Sequence, residues 1–477
     1  MRRFAFFIAV ATLLGLPRAM AQSLPDLGGP GDVALAPALE RRIGESIVRD
    51  IRRDPSYVDD PEVTEYLATI GAKLTQVAGG ARQDFEFFAV RDPSINAFAL
   101  PGGFVGVHTG LLTTAETESE LASVLAHEIA HVTQRHIARL FGTQKQMQMP
   151  VMVALAAAIL LGRSRPDLAS GAAAAAQGAA AATTLSYTRD FEREADRVGL
   201  QALAAAGFEP RAMSTFFERM QRSQRVADDG TVPGYLRTHP ITTERIADAQ
   251  NRIAALPYKQ HLGSEEFHLV RAKLRAEGGD AHDTVASLAA SVRDGRFASE
   301  AAARYGLVHA LLRVRKVKEA EAEMARLRKT GASGPMIETL AARVKRAAGD
   351  AAGAANLLTA ARSRYPSSRP VLYAHVDALH DARQDEEATK VLGEALRTYP
   401  RDARLFALQS KTYAALGKRL LQHQAQAEFY ALQGNLPGAI EQLQLARTAG
   451  DGDFYQQSVV DARLRELRTQ HSNESRR

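Results

Sequence analysis

The C-terminal part of the chain repeats with a period of 34 residues. Four alanines mark this repeat: Ala286, Ala320, Ala354 and Ala388. Tyr365-Pro366 recurs as Tyr399-Pro400 at the same interval. A period of this length is typical of paired helices that bury their apolar faces only against neighbouring pairs. Residues 262–470 are therefore predicted to form an α-solenoid with a concave surface.

The register of the repeat changes after Ala388. The position one period further on is Gln422, and a matching small residue returns only at Ala439. This gap of one and a half periods predicts one extra helix near 403–416. The array resembles the tetratricopeptide repeat, in which a small residue lets two helices pack closely and proline ends the pair. A generic helical bundle is the alternative.

A second sequence feature is a His-Glu-x-x-His motif, which predicts a catalytic site. His127-Glu128-Ile129-Ala130-His131 lies in a stretch patterned as a helix, predicted to run roughly over 118–139. Positions i and i+4 share one face of a helix, so His127 and His131 can bind one metal ion together. Glu128 can accept a proton from a water molecule activated by that metal. The pattern predicts a zinc peptidase.

A catalytic zinc site needs a third protein ligand, and the carboxylate-rich segment 187–196 is the best candidate. Glu192 and Asp196 share a face of the predicted helix, whereas Glu194 points roughly the other way. We assign Glu192 as the ligand and Asp196 as the acceptor for the outer N–H of a ligand imidazole. The two roles could be exchanged. Glu194 is interpreted as a solvated residue or a helix cap.

Residues 1–21 have the pattern of a secretory signal peptide. Arg2 and Arg3 precede an apolar stretch at 4–16, and Ala19-Met20-Ala21 forms a small-x-small cleavage site. An N-terminal membrane anchor is the less favoured alternative, because the apolar stretch is shorter than a span needs. Residues 22–34, rich in proline and glycine, are predicted to be a loose leader.

The composition excludes several classes of function. The formal net charge of +6 falls to +3 when the three arginines of the signal peptide are removed. With no basic cluster interleaved with aromatic residues, this charge does not support nucleic-acid binding. The chain has no cysteine, which excludes disulfides, thiol catalysis and a lipid attached to cysteine.

Residues 35–258 are predicted to form the metal-binding domain. Apolar spacing predicts a helix within 35–53 and another after Asp60-Pro61, and strand formers predict strands near 85–90 and on either side of Pro101-Gly102-Gly103. Residues 150–184 are predicted to cover the cleft; a buried helical hairpin or a membrane-surface element are the alternatives. The predicted fold class is therefore α+β, mainly α-helical, with a small sheet before the helical array.

These motifs together resemble the gluzincin family of zinc metallopeptidases. His-Glu-x-x-His at 127–131, Glu-x-x-x-Asp at 192–196 and the segment from Asn96 to Gly103 are similar to the branch with the heat-shock protease HtpX and the CAAX-prenyl proteases. The signal peptide and repeat array are similar to the periplasmic BepA-like branch. HtpX-type members carry membrane spans, and no such span is predicted here after residue 21. Cleavage within a bilayer is therefore not expected.

The resemblance implies a zinc-dependent endopeptidase with one Zn²⁺ per chain, located in the periplasm and peripheral to the outer membrane. It implies unfolded or misassembled outer-membrane proteins as substrates, and the outer-membrane β-barrel assembly machinery as a partner of the repeat domain. The alternative is a periplasmic chaperone or scaffold for outer-membrane protein assembly, with a latent or structural metal site. Glu128 favours the enzyme, because a structural site has no use for a base.

A substrate strand is predicted beside the metal. It consists of Asn96, Ala97, Phe98, Ala99 and Leu100. An exposed strand edge offers backbone hydrogen bonds to an extended peptide with little demand on its sequence.

Three other histidines are interpreted separately. His239, in a His-Pro element similar to the BepA-like branch, has three possible roles. It could occupy the water position and hold the enzyme off, stabilise the oxyanion of the transition state, or begin a helix with no metal role. His136, half a turn around the predicted helix from His127, is expected on the surface. His108, after a strand, is expected to be structural.

Overall fold

The computed structural model describes residues 35–79, 84–143, 189–226 and 234–475. The predicted signal peptide (1–21), leader (22–34) and cover (150–184) lie outside the described residues. None of the helices in the described ranges is both long enough and apolar enough to cross a bilayer.

The N-terminal half combines helices with one small sheet. Its elements in chain order are α1 (Pro37–Arg53), α2 (Pro61–Thr75), β1 (Glu86–Val90), β2 (Ala97–Leu100), β3 (Phe104–His108), α3 (Thr109–Thr114), α4 (Glu118–Thr133), α5 (His136–Thr143), α6 (Arg189–Ala205), α7 (Arg211–Val226), α8 (Gly234–Thr238) and α9 (Thr243–Ala254).

The C-terminal half is helical throughout the residues described. Its helices are α10 (Glu265–Glu277), α11 (Ala281–Arg293), α12 (Glu300–Arg313), α13 (Val317–Lys329), α14 (Pro335–Ala347), α15 (Ala351–Arg364), α16 (Arg369–Asp381), α17 (Asp385–Thr398), α18 (Ala403–Ala415), α19 (Arg419–Leu432), α20 (Leu436–Thr448) and α21 (Phe454–Ser475). A helix is present at the predicted position as α18, but the prediction that it is an extra one is wrong: α18 begins 34 residues after α16 and continues the regular pairing.

The sheet has the strand order β1-β3-β2. Strand β3 pairs in parallel with β1 and antiparallel with β2. The turn between β2 and β3 contains Gly102 and Gly103, whose φ angles of 79° and 94° lie in the left-handed region that favours glycine. Because the strand order is β1-β3-β2, β2 lies at one edge of this sheet, as the predicted substrate strand requires.

The helix that carries the His-Glu-x-x-His motif is shorter than the sequence pattern predicted. It begins after Thr117, whose side chain accepts a hydrogen bond from the backbone N–H of Glu120. It ends at Thr133, and Arg135 adopts a positive φ of 53° before α5 begins at His136. The predicted continuous helix over 118–139 is thus wrong, because the backbone breaks at Arg135 and changes direction.

One hydrophobic core connects the two halves of the chain. The cluster extends from Val58 in the N-terminal half to Val344 in α14, and Phe267 and Val270 of α10 belong to it. The first helices after the predicted domain boundary therefore pack on the part of the chain that carries the metal motif. This shared core fixes the repeats relative to that part.

The small residues of the repeat are buried with one exception. Ala320, Ala354 and Ala388 are fully buried, as close packing of paired helices requires. The first member of the series, Ala286, is exposed. The predicted packing role is wrong for Ala286, because α10 and α12 pack directly on each other and α11 has no buried side chain.

Candidate metal centre

Four buried side chains from three places in the chain converge on one point. They are His127, His131, Glu192 and His239, and each offers one ligand atom within 4.8 Å of the others. Helix α4 presents the two histidines of the motif, α6 presents Glu192, and His239 follows α8. Three of these residues were predicted as metal ligands, and the fourth was one of the alternatives for His239.

Close packing of α6 on α4 brings the carboxylates to the histidines. Gly199 of α6 lies against Ala126 of α4, and a Cβ at this glycine would come within 3.1 Å of the Ala126 backbone. The near approach lets Glu192 and Asp196, on the same face of α6, reach the motif. Oδ1 of Asp196 lies 3.0 Å from Nδ1 of His127, as expected for a residue that orients a ligand imidazole.

The donor set fits a metal cation. The Nε2 atoms of His127 and His131 lie 3.0 Å apart, and each is 3.4 Å from an oxygen of Glu192. Nδ1 of His127 faces a carboxylate, which requires a proton there and leaves Nε2 as a lone-pair donor in the neutral ring. Two such donors and a carboxylate around one point are the typical ligands of a catalytic zinc site.

The electrostatics of the cluster favour charged carboxylates. Burial would raise the pKa of Glu192, but the surrounding histidines, His239 first, hold it well below its usual range. Burial would likewise lower the pKa of His127, but its contacts with Asp196 and Glu192 raise it to about 9. The site therefore stabilises a positive charge among these residues.

Arg245 is a buried residue of the site that the sequence interpretation gave no role. Its guanidinium donates two hydrogen bonds to Asp196, from Nε at 2.7 Å and from Nη2 at 2.8 Å. Nη1 lies 2.8 Å from Oε2 of Glu192 and donates to the carbonyl of Pro240 at 2.8 Å. Arg245 therefore holds both carboxylates and the segment that carries His239 in place.

His136 is buried, and the prediction that it lies on the surface is wrong. The break at Arg135 turns its ring back toward the motif, where its Nδ1 lies 2.9 Å from Nδ1 of His131. Its Nε2 lies 3.2 Å from Oε2 of Glu194, which also accepts a hydrogen bond from Arg139 at 2.8 Å. Glu194 is thus an outer residue of the site rather than a solvated residue or a cap.

The contacts of His136 indicate which ring nitrogen carries the proton in His131 and in His136. If Nε2 of His131 faces the metal, its Nδ1–H donates to Nδ1 of His136, and the Nε2–H of His136 donates to Glu194. Burial lowers the pKa of His136 to about 4 despite the nearby Glu194. The neutral ring of His136 is the form that this arrangement needs.

Replacing His136 by leucine is expected to weaken metal binding by about 10- to 100-fold, because His131 loses the acceptor that orients it. Competition with a chromogenic chelator measures the affinity. His282→Leu, a change at an exposed histidine, is the matched control. A folded His136→Leu protein with wild-type metal affinity would refute the orienting role.

Glu128 occupies the position expected of a base. Its side chain is completely buried, and neither carboxylate oxygen has a hydrogen-bond partner among the described residues. Burial raises the pKa of Glu128, while His239, His127 and the backbone of Ala99 oppose this rise. Nε2 of His239 lies 3.3 Å from Oε1 of Glu128.

The predicted substrate strand lies beside this base. Ala97, Phe98, Ala99 and Leu100 form β2, and no described strand pairs with the edge of β2 that faces away from β3. All four residues are buried, so this edge is unpaired among the described strands but is not the exposed edge that the sequence predicted. The side-chain oxygen of Asn96 is also buried without a hydrogen-bond partner among the described residues.

Tyr235 is a second residue that the sequence interpretation missed. Its buried ring lies 4.9 Å from that of His239 between centroids, and its backbone N–H donates to the carbonyl of Ile95 at 3.1 Å. This bond ties α8 to the start of β2. No local motif marks Tyr235, because its role depends on contacts between distant segments. His108, expected to be structural, is buried and lies 2.9 Å from the hydroxyl of Ser94.

Comparisons with known proteins agree with this geometry. Peptidase family M48 matches residues 61–253, and the tetratricopeptide repeat matches residues 345–412. The beta-barrel assembly-enhancing protease of Escherichia coli (strain K12) is 32% identical over 97% of this chain and 96% of that protein. The putative beta-barrel assembly-enhancing protease of Vibrio cholerae is 39% identical over 53% of this chain and 52% of that protein. The mitochondrial metalloendopeptidase OMA1 of Schizosaccharomyces pombe is 30% identical over 43% of this chain and 59% of that protein.

The comparisons confirm the predicted fold class, the repeats and the metalloprotease class. The M48 match includes the two motif histidines, Glu128, Glu192 and His239, which are the residues that the structure brings together. The relative from E. coli aligns along almost the whole of both chains. The chain therefore belongs to the family of the beta-barrel assembly-enhancing proteases, within peptidase family M48.

Proposed function

We propose that this chain is a periplasmic zinc-dependent endopeptidase that hydrolyses peptide bonds of unfolded or stalled outer-membrane proteins. The observation that carries this proposal is the buried set of His127, His131 and Glu192 beside the fully buried Glu128. The substrate class is supported by the name of the E. coli relative and by the edge of β2 that no described strand pairs with. A strand edge binds extended chains through their backbones, which suits an unfolded substrate.

The proposal extends to place and partner. The enzyme lies in the periplasm, peripheral to the outer membrane, and the repeats dock the β-barrel assembly machinery or the substrate. The shared core that joins the repeats to the metal-binding part supports a docking role. A partner held by the repeats would be held at a fixed place relative to the metal centre.

His127, His131 and Glu192 would hold the zinc ion. When bound, zinc acidifies a water molecule and polarises the scissile carbonyl. Glu128 accepts the proton of the attacking water and passes it to the leaving amine. Its raised pKa makes it a stronger base than an exposed carboxylate. Asp196 and His136 keep the two imidazoles oriented, and the edge of β2 positions the substrate backbone.

His239 holds the enzyme in a latent state. Its Nδ1 faces the metal cluster, 3.0 Å from Oε1 of Glu192 and 3.3 Å from Nε2 of His127. Its other nitrogen contacts Glu128. With a metal bound, this one ring would supply a fourth ligand in the place of water while it also contacts the base. Catalytic zinc sites keep that fourth position open.

Substituting His239 by alanine is expected to raise casein cleavage by about tenfold or more, with the zinc content unchanged, because three ligands remain. The double variant His239→Ala/Glu128→Gln is the control and is expected to be inactive. A collapse of activity in the single variant would instead assign His239 to stabilising the oxyanion. No change would leave it without a role at the metal.

A chaperone or scaffold remains the second candidate function. The observation that favours it is the closed set of four ligands, since structural zinc sites have no open position. In a scaffold the repeats carry the function by binding other proteins. The wild type and the His239→Ala variant would then both bind zinc, and neither would cleave casein. Measurable cleavage that depends on Glu128 excludes it.

A further inference from the structure

A polar cavity lies where the repeat helices meet the first turn of α2. None of the metal ligands lines it. It has a volume of about 150 Å³. The first turn of α2 forms one wall, α10, α12, α14, α16 and α18 contribute most of the others, and Leu358 of α15 adds one residue. These five are alternate helices of the array, so the cavity lies along one face of the repeats.

Cationic side chains dominate this cavity. Lys273, Arg343, Arg346 and Arg404 line it, against the carboxylates Glu62 and Asp377. The charge of Lys273 is compensated, because its Nζ lies 2.5 Å from Asp60 and 2.6 Å from Glu62. Two carboxylates thus face this one lysine, so an anion in the cavity would have to be bound by an arginine rather than by Lys273.

Arg343 has no carboxylate partner within 4 Å in the described part of the chain. Arg346 pairs with Asp381, and Arg404 pairs with Asp59, which is 81% exposed. Asp377 contacts Lys411 at 3.4 Å. Exposed pairs of this kind contribute little and exchange readily with a ligand anion. Arg343 is thus the cation of this cavity that most lacks a counter-charge.

His309 also lines the cavity, and one of its ring nitrogens is buried without a hydrogen-bond partner among the described residues. Nη1 of Arg343 lies 3.2 Å from Nδ1 of His309. A guanidinium can only donate, so Nδ1 accepts and the proton of the neutral ring lies on Nε2. This Nε2 is buried and has no hydrogen-bond partner among the described residues, although His309 is only 4% exposed. A buried donor that no described residue satisfies, next to an arginine without a carboxylate partner, suits recognition of an anion.

We propose that this cavity binds a carboxylate of an extended polypeptide, with Arg343 as its principal contact. Pro61, Leu340 and Pro370 line the cavity beside the arginines, so a ligand with apolar atoms next to its anionic group fits better than a free inorganic ion. The volume admits one carboxylate and its neighbouring chain atoms but not a folded partner. Planar guanidinium groups bind carboxylates through paired hydrogen bonds.

This inference goes beyond the proposed function, because it concerns a binding site that needs neither zinc nor cleavage. Binding is measured with the full-length Glu128→Gln protein, so that the probe is not consumed. The probes are fluorescein-labelled decapeptides observed by fluorescence polarisation. One has a free C-terminal carboxylate, one has the same sequence with a C-terminal amide, and one is amidated but contains internal glutamates.

The test variant is Arg343→Gln and the matched control is Arg397→Gln. Arg397 is an exposed arginine of α17 that does not line the cavity. We expect Arg343→Gln to weaken binding of a carboxylate-bearing peptide by about tenfold or more, and Arg397→Gln to leave it unchanged. Binding should also weaken as salt is added. Unchanged thermal melting would show that the variant is folded.

The three peptides distinguish the source of the carboxylate. Loss of binding on amidation of the first peptide would identify the chain terminus, and binding of the glutamate peptide that depends on Arg343 would identify side chains. The proposal is overturned if no peptide binds, or if binding is the same in the Arg343→Gln and Arg397→Gln proteins. It is also overturned if inorganic phosphate binds through Arg343 and the peptides do not compete. None of these outcomes depends on whether the wild type cleaves casein.

Discussion

The Glu128→Gln variant should cleave casein about a thousandfold more slowly than the wild type while it binds the same amount of metal. A general base contributes roughly 10²- to 10⁴-fold to the rate of a reaction. Glutamine keeps the size of the side chain but cannot accept the proton. Glu128 is not one of the converging ligands, so the metal should stay in place. Cleavage rate and metal content are measured on the same preparation, with His239→Ala as the background if the wild type is latent.

The control for this experiment is Glu116→Gln. Glu116 has the same side chain, but it is 69% exposed and its nearest cationic partner, Arg219, is 3.8 Å away. This control should retain full activity. If Glu128→Gln cleaved at the wild-type rate, another group would have to act as the base. If it also lost its metal, Glu128 would have a role in binding instead.

The Arg245→Ala variant should be destabilised by about 3–5 kcal/mol, because it leaves buried carboxylates without their cation. Arg245 is 4% exposed and contacts both Glu192 and Asp196. Burial would raise the pKa of Asp196, but Arg245 holds it below its usual range. Urea unfolding of the metal-free protein measures the effect, since bound metal would add stability of its own.

Arg193→Ala is the matched control for Arg245→Ala. Arg193 is a half-exposed arginine of α6 that pairs with Glu244 at 3.1 Å, and an exposed pair of this kind contributes at most about 1 kcal/mol. The two variants should therefore differ clearly in their unfolding midpoints. Equal midpoints would mean that Arg245 does not compensate the two carboxylates.

The sequence predicted the parts of the site that depend on local periodicity. His127 and His131 share a helix face, and Glu192 and Asp196 share another, so their spacing alone brings each pair to one side of its helix. The repeat was visible for the same reason, because three successive helix pairs bury an alanine at the same position, Ala320, Ala354 and Ala388. The structure places all four of these site residues together.

The parts that escaped prediction depend on breaks in the backbone or on long-range contacts. His136 was misplaced because a helical projection assumes a continuous helix, whereas the positive φ at Arg135 turns α5 away from the axis of α4. Arg245 lies 49 residues beyond Asp196 in the chain, and no spacing rule connects an arginine to carboxylates at that separation. The burial of Ala286 was predicted wrongly. A repeating sequence pattern shows that a position recurs, but it does not show whether each helix has a neighbour on both sides.

Zinc-edge X-ray absorption of the wild type and the His239→Ala variant would show whether this centre holds zinc and whether His239 is a ligand. We predict about one zinc per chain, bound by three imidazoles and one carboxylate in the wild type and by two imidazoles, a carboxylate and water in the variant. A wild type that binds no zinc would remove the metalloprotease mechanism. A wild type that shows the same two imidazoles as the variant would contradict the latent state held by His239.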